Sequence, residues 1–130
     1  MADAPSGLGG KVILVVEDQF LLAQELKIFL QEHGATVVGP AASLHDALAL
    51  IVHEGARLDG AVLDINLHNE RVYPAADVLM AAGVPIVFAT GYDELAIGNQ
   101  YWDVPLLEKP IDHRRLAKVL AMAISGVRAR

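Results

Sequence analysis

Charged and hydroxyl side chains follow most of the apolar runs in this sequence. Glu17 and Asp18 come directly after "VILVV", and Asp64 ends "GAVLD". Thr90 follows "PIVFA", and Lys109 stands two residues after "VPLL". Carboxylates bind hard cations, whereas ammonium and hydroxyl groups bind phosphoryl oxygens. These residue types would do chemistry together only if the fold brings the ends of the runs to one place.

Five short apolar runs rich in β-branched residues predict five strands, and segments with helical spacing lie between them. The runs are VILVV (12–16), TVVG (36–39), GAVLD (60–64), PIVFA (85–89) and VPLL (104–107). They lack the in-and-out alternation of a half-solvated sheet, so we expect parallel strands covered on both faces. The predicted fold class is α/β, with a doubly wound, five-stranded parallel sheet covered by helices.

Capping residues indicate where the helices begin. Ser43 and Asp46 form a capping box, Pro74 suits a first helical turn, and Asp112 can cap the last helix. The weakest helix is the fourth, "DELAIGNQYW" (93–102), because it contains Gly98 and has little amphipathic length.

The composition indicates one domain without a nucleic-acid or membrane partner. The chain has 130 residues, 54% of them hydrophobic, which is enough for one well-filled core. A net charge of −6 argues against a protein that tracks phosphates. No apolar run reaches the roughly 18 residues of a membrane span, and the absence of cysteine fits the cytoplasm.

In a doubly wound sheet, ligands bind beyond the carboxyl ends of the strands, so the charged residues are expected to converge. Two carboxylates about 4 Å apart repel by roughly 4 kcal/mol at an effective dielectric constant near 20, so a cation is required. Oxygen ligands without cysteine favour Mg²⁺. Asp64, on the central strand, is then the candidate nucleophile for an acyl phosphate, with Lys109 and Thr90 holding phosphoryl oxygens.

From about Lys11 to Ile124 these residues resemble the receiver domain of bacterial two-component response regulators. The resemblance implies a flavodoxin-like fold with sheet order 2-1-3-4-5 and five helices. The resemblance implies that Asp64 is the phosphoacceptor and that Mg²⁺ is bound by Glu17, Asp18, Asp64 and the backbone carbonyl of Asn66.

The resemblance also assigns the residues beside the phosphoacceptor. Thr90 is implied to be the switch hydroxyl, and Lys109 and Pro110 resemble the family's invariant pair, joined by a cis peptide bond. We therefore expect a flexible arm at residues 1–10, a receiver domain at 11–125 and a short tail at 126–130.

A subfamily is suggested by "FATGYDE" (88–94) and "PLLEKP" (105–110). These stretches are similar to receivers with a Phe-Ala-Thr-Gly-hydrophobic-Tyr motif, known chiefly from alphaproteobacteria, although here Tyr92 directly follows Gly91. The similarity implies a stand-alone regulator that works with histidine kinases of the HWE type and in general stress signalling.

The switch departs from the family pattern. Leu106 stands three positions before Lys109, where the family usually has an aromatic residue, so the usual aromatic switch is not expected. Our hypothesis is that phosphorylation orders residues 91–102, with Gly91 as a hinge and Tyr92 moving.

Three further residues keep two interpretations each. Tyr101 and Trp102 fit either a partner-binding patch or the edge of the core. His68, close to Asp64, is either a surface histidine or a residue that tunes access or dephosphorylation.

The function implied is a single-domain response regulator, a monomer that is not an enzyme beyond its own phosphotransfer and dephosphorylation. It would take a phosphoryl group from a sensor histidine kinase or a histidine phosphotransfer protein. It would then contact a downstream protein or act as a phosphate sink that removes phosphoryl groups from a shared kinase. Two alternatives stay open at this stage: a Mg²⁺-dependent phosphatase or phosphotransferase, and a degenerate receiver that only binds partners.

Overall fold

The computed structural model describes residues 7–91 and 99–126. The strands are β1 (Val12–Val16), β2 (Thr36–Ala41), β3 (Gly60–Asp64), β4 (Asn66–Leu67), β5 (Glu70–Arg71), β6 (Ile86–Thr90) and β7 (Leu106–Glu108). The α-helices are α1 (Phe20–Glu32), α2 (Leu44–Glu54), α3 (Tyr73–Ala81) and α4 (His113–Ser125). Short 3-10 helices cover Gly55–Arg57 and Asn99–Tyr101.

Five strands form one parallel sheet in the order β2-β1-β3-β6-β7. Counted without the short β4–β5 hairpin, this is the order 2-1-3-4-5, and the predicted doubly wound α/β fold is confirmed. Every residue of β3 and β6 is buried, as expected for central strands covered by helices on both faces.

Two hydrophobic clusters make up the core, one on each face of the sheet. Successive residues of β1 alternate between them because side chains of a strand point to opposite faces: Leu14 and Val16 belong to one cluster, Ile13 and Val15 to the other. Apolar residues of α2 and α3 fill the first cluster, and those of α1 and α4 fill the second.

The helix starts follow the predicted caps. Ser43 accepts a hydrogen bond from the Asp46 N–H, and Asp112 accepts bonds from the first turn of α4. Within the described part of the chain there are four α-helices; most of the predicted fourth helix (93–102) falls on residues 92–98, outside the described residues. Among the described helices, none has the length and apolar character needed to cross a bilayer.

The start of the chain contributes to the core. Leu8, within the predicted arm, is fully buried in the second cluster, and the Lys11 N–H donates to its carbonyl oxygen at 3.0 Å. The Gly10 N–H donates to the Gly34 carbonyl oxygen at 2.9 Å. The predicted division at residues 1–10, 11–125 and 126–130 stays a prediction, and the core includes at least one residue ahead of Lys11.

The backbone around Gly39 in β2 leaves no room for a side chain. Its φ is +97°, and a Cβ atom there would lie 2.8 Å from the Ala41 nitrogen and 2.9 Å from the Val15 carbonyl oxygen. Both are backbone atoms of the sheet, so they cannot move aside without disturbing strand pairing. The following peptide bond, to Pro40, is cis.

We expect Gly39→Ala to lower the free energy of unfolding more than Gly83→Ala. Gly83 has a similar φ of +79° but open space around it. Gly83→Ala should therefore cost only the left-handed backbone term, about 1–2 kcal/mol, whereas Gly39→Ala should add an overpacking cost of about 1–3 kcal/mol. Urea denaturation of both variants measures the difference, and equal losses would contradict the steric account.

Candidate functional site

The carboxyl edge of the sheet gathers the charged residues that follow the strands. Glu17 and Asp18 follow β1, Asp64 ends β3, and Thr90 ends β6. Glu17, Asp64 and Thr90 are the polar or charged residues buried in the described part of the chain, with 2%, 4% and 3% of their surface exposed. The parallel sheet thus brings together side chains that are far apart in sequence.

The ammonium group of Lys109 contacts both buried carboxylates, those of Glu17 and Asp64. Its Nζ lies 2.9 Å from Glu17 Oε1 and 2.9 Å from Asp64 Oδ2. The Lys109 N–H donates to the Thr90 carbonyl oxygen at 2.8 Å, which extends the pairing of β6 with β7, and the bond between Lys109 and Pro110 is cis. The hydrogen bond to Thr90 fixes the Lys109 backbone beside β6, and the charge of the ammonium group holds it against the carboxylates.

Each carboxylate of the cluster also accepts one backbone N–H. Such bonds favour the ionised form of a carboxyl group. The pairs are Gln19 N–H to Glu17 Oε2 (3.0 Å), Asn66 N–H to Asp64 Oδ1 (3.2 Å) and His68 N–H to Asp18 Oδ2 (2.9 Å).

Burial dominates the electrostatics of the two inner carboxyl groups. Desolvation, assisted by the charge of Asp64, raises the pKa of Glu17 to about 7 against the opposing hydrogen bonds. Burial likewise raises the pKa of Asp64. Burial lowers the pKa of Lys109, but its bonds to both carboxylates outweigh that effect and raise it, so Lys109 stays protonated. The site favours uptake of a proton or a cation.

Asp18 lies at the rim of the site and behaves differently. Burial would raise its pKa, but hydrogen bonds, the largest from the His68 N–H, lower it below the ordinary value. Asp18 is therefore the most readily ionised member of the cluster.

The donor set fits a small hard cation. Glu17, Asp18 and Asp64 each offer an oxygen, and these three atoms lie within 4.8 Å of one another. A hard divalent cation such as Mg²⁺ prefers carboxylate oxygens, and it would reduce the repulsion among the three when bound. Asn66 stands at the start of β4 with its N–H directed to Asp64; the metal role of its carbonyl stays a prediction.

The predicted switch residues are only partly within the described structure. The Thr90 hydroxyl donates to the Gly91 carbonyl oxygen at 3.1 Å and so is turned to its own backbone. Leu106 is 40% exposed, and Tyr92 lies outside the described residues. Ordering of residues 91–102 stays a prediction.

The β4–β5 hairpin was not anticipated from the sequence. Asn66 pairs with Arg71 and Leu67 with Glu70, so residues 68 and 69 form a two-residue turn. A usable signal was present: asparagine in a short polar stretch between "DINL" and "ERV" favours a tight turn. The hairpin supplies two of the three backbone donors to the carboxylates.

Comparison with known proteins identifies the family. The family model for the response regulator receiver domain matches residues 13–121. The chain belongs to this family. The acidic edge described above is therefore the carboxyl edge of a receiver domain, and the family resemblance predicted from the sequence is confirmed.

Individual relatives agree with this assignment. The receiver is similar to SdrG from Sphingomonas melonis Fr1, a solved structure, with 38% identity and a TM-score of 0.77 over 89% of this chain and 97% of that chain. A response regulatory protein of Yersinia pestis is 32% identical over 83% of this chain and 46% of its own length. The phyllosphere-induced regulator PhyR of Methylorubrum extorquens is 28% identical over 86% and 43%. The chain spans less than half of these two relatives.

We expect the metal-free receiver to lose stability as pH rises from about 4.5 through about 7. Because burial raises the folded-state pKa of Glu17, the folded protein binds a proton that the unfolded chain releases, and this contribution disappears once pH passes the folded pKa. The glutamine of Glu17→Gln cannot ionise, so the free energy of unfolding of this variant should fall less as pH rises. Above about pH 7 the variant should therefore be more stable than wild type.

Urea denaturation in EDTA across this pH range measures the effect. Glu32→Gln, which changes an exposed carboxylate of α1, is the matched control and should follow the wild-type profile. Parallel profiles for wild type and Glu17→Gln would contradict the burial of an ionisable Glu17.

Proposed function

We propose that this receiver accepts a phosphoryl group on Asp64 from a histidine kinase or phosphotransfer protein in a Mg²⁺-dependent reaction. The observation that carries the proposal is the Lys109 ammonium group, 2.9 Å from both Glu17 Oε1 and Asp64 Oδ2 at the carboxyl edge of the sheet. An ammonium group there can bind an oxygen of the incoming phosphoryl group next to the carboxylate that receives it.

The metal would be held by the acidic cluster. Glu17, Asp18 and Asp64 would supply carboxylate oxygens, and the Asn66 backbone carbonyl would supply another oxygen. Bound Mg²⁺ would neutralise charge on the carboxylates and on the transferring phosphoryl group. Three carboxylates against one ammonium group leave two negative charges, which a divalent cation compensates.

In the transfer, a carboxylate oxygen of Asp64 forms a bond to phosphorus while the P–N bond of the donor phosphohistidine breaks. The electron pair of that bond returns to the donor imidazole, and Asp64 becomes an acyl phosphate. Lys109 holds one phosphoryl oxygen. The Thr90 hydroxyl, now bonded to Gly91, would turn to donate to another. Attack of water on phosphorus later releases inorganic phosphate and restores Asp64.

The proposal extends to partners and setting. "FATGYDE" and the similarity to SdrG support a receiver of the alphaproteobacterial type, paired with a kinase such as one of the HWE type and acting in general stress signalling. We further propose a cytoplasmic monomer that signals through contact with a downstream protein or through removal of phosphate from a shared kinase. Its own phosphotransfer and dephosphorylation would be its only catalysis.

Wild-type protein incubated with acetyl phosphate and Mg²⁺ should gain the mass of one phosphoryl group, whereas Asp64→Asn should gain none because an amide is not a nucleophile toward phosphorus. Intact-mass spectrometry measures both. Asp46→Asn, an exposed carboxylate on α2, is the control and should label like wild type. EDTA should abolish labelling. Absence of wild-type labelling, or equal labelling of Asp64→Asn, would refute the proposal.

A further inference from the structure

One hairpin holds carboxylates that come from two different strands. The β4–β5 hairpin begins two residues after Asp64, and its Asn66 N–H donates to Asp64 Oδ1 at 3.2 Å. Its turn residue His68 donates a backbone N–H to Asp18 Oδ2 at 2.9 Å, across 50 positions of sequence. Asp18 follows β1, so the hairpin links the ends of β1 and β3 at the acidic edge.

The turn is held in an unusual backbone conformation. His68 has a φ of +56°, the sole positive φ of a non-glycine residue within the described ranges. A side chain at positive φ is disfavoured by about 1–2 kcal/mol, so the surrounding structure must impose it. Leu67, which is 1% exposed, anchors the hairpin in the core, and its pairing with Glu70 sets the turn.

The conformation directs the His68 N–H at Asp18. The side chain of Asp18 is 12% exposed and that of His68 is 76% exposed, so the imidazole faces solvent while the carboxylate is largely shielded from it. The ring Nδ1 is 3.4 Å from the same Asp18 Oδ2, longer than the backbone bond. The backbone donor is therefore the stronger restraint on Asp18.

We propose that His68 is a positioning residue: its backbone N–H, fixed by the left-handed turn, holds one oxygen of Asp18 so that this carboxylate stays directed at Glu17 and Asp64. This inference rests on the proposed function, because Asp18 is a metal ligand only in that function. A carboxylate held in place by an outer donor binds metal more tightly than one that can rotate to solvent.

Two substitutions of His68 distinguish the contribution of its backbone N–H from that of its imidazole ring. His68→Gly removes the ring but favours positive φ, so the N–H should stay on Asp18. His68→Val also removes the ring, but a β-branched residue disfavours positive φ, so the turn should rearrange and the bond should be lost. Asn69→Val changes the neighbouring turn residue, which does not have a positive φ, and is the matched control.

Calorimetric titration with Mg²⁺ alone measures the effect. Wild type, His68→Gly and Asn69→Val should share one dissociation constant, and His68→Val should bind about tenfold or more weakly. Amide hydrogen exchange in the metal-free protein gives a second measure: the His68 N–H should be protected in wild type and should exchange faster in Asp18→Ala.

The outcomes distinguish a failure of the positioning role of His68 from a failure of the proposed function. Equal Mg²⁺ affinity of the Gly and Val variants, or equal weakening of both, would overturn the positioning role of the N–H while wild-type labelling by acetyl phosphate upheld the proposed function. Wild-type protein that neither binds Mg²⁺ nor labels would overturn both. A general loss of folding would be visible as a lower unfolding free energy of His68→Val, and amide exchange at His68 in Asp18→Ala still decides the bond.

Discussion

The buried contact of one ammonium group with two carboxylates is the interaction on which this site depends. Glu17 and Asp64 are almost fully excluded from water, a state that is unfavourable for charged groups without a partner. Lys109 supplies that partner at 2.9 Å to each. Compensation is incomplete, because Asp18 adds a third carboxylate within reach of the same point. The remaining negative charge makes the site receptive to a cation.

The scaffold keeps these charges together by means of the buried sheet beneath them. β1, β3, β6 and β7 run parallel, so their carboxyl ends share one edge, and apolar residues on both faces prevent the strands from shifting. Backbone N–H groups then orient the individual carboxylates. The β4–β5 hairpin supplies two of these donors, which links the loop after β3 to the loop after β1.

Aromatic packing near β6 differs from the pattern that the family resemblance implies. Leu106 on β7 is partly exposed, whereas Tyr101, in the short 3-10 helix before that strand, is 3% exposed and stacks on Tyr73 with ring centroids 4.8 Å apart. The Tyr101 hydroxyl donates to Asp77, and burial with that bond raises its pKa to about 12. Sequence alone leaves Tyr101 and Trp102 each open to assignment as a partner-binding patch or as the edge of the core. Tyr101 belongs to the core, whereas Trp102 is 69% exposed.

The sequence by itself determined the alternation of strands and helices, the caps of α2 and α4, and the identity of the charged residues at the strand ends, because apolar periodicity and capping chemistry are local properties. Only the tertiary structure decided how those residues meet. Burial and contacts between residues 45 to 92 positions apart set three features: the equal distances from Lys109 to Glu17 and Asp64, the raised pKa of Glu17 and the left-handed turn at His68. No local pattern encodes them, since desolvation and long-range hydrogen bonds exist only after the strands have paired.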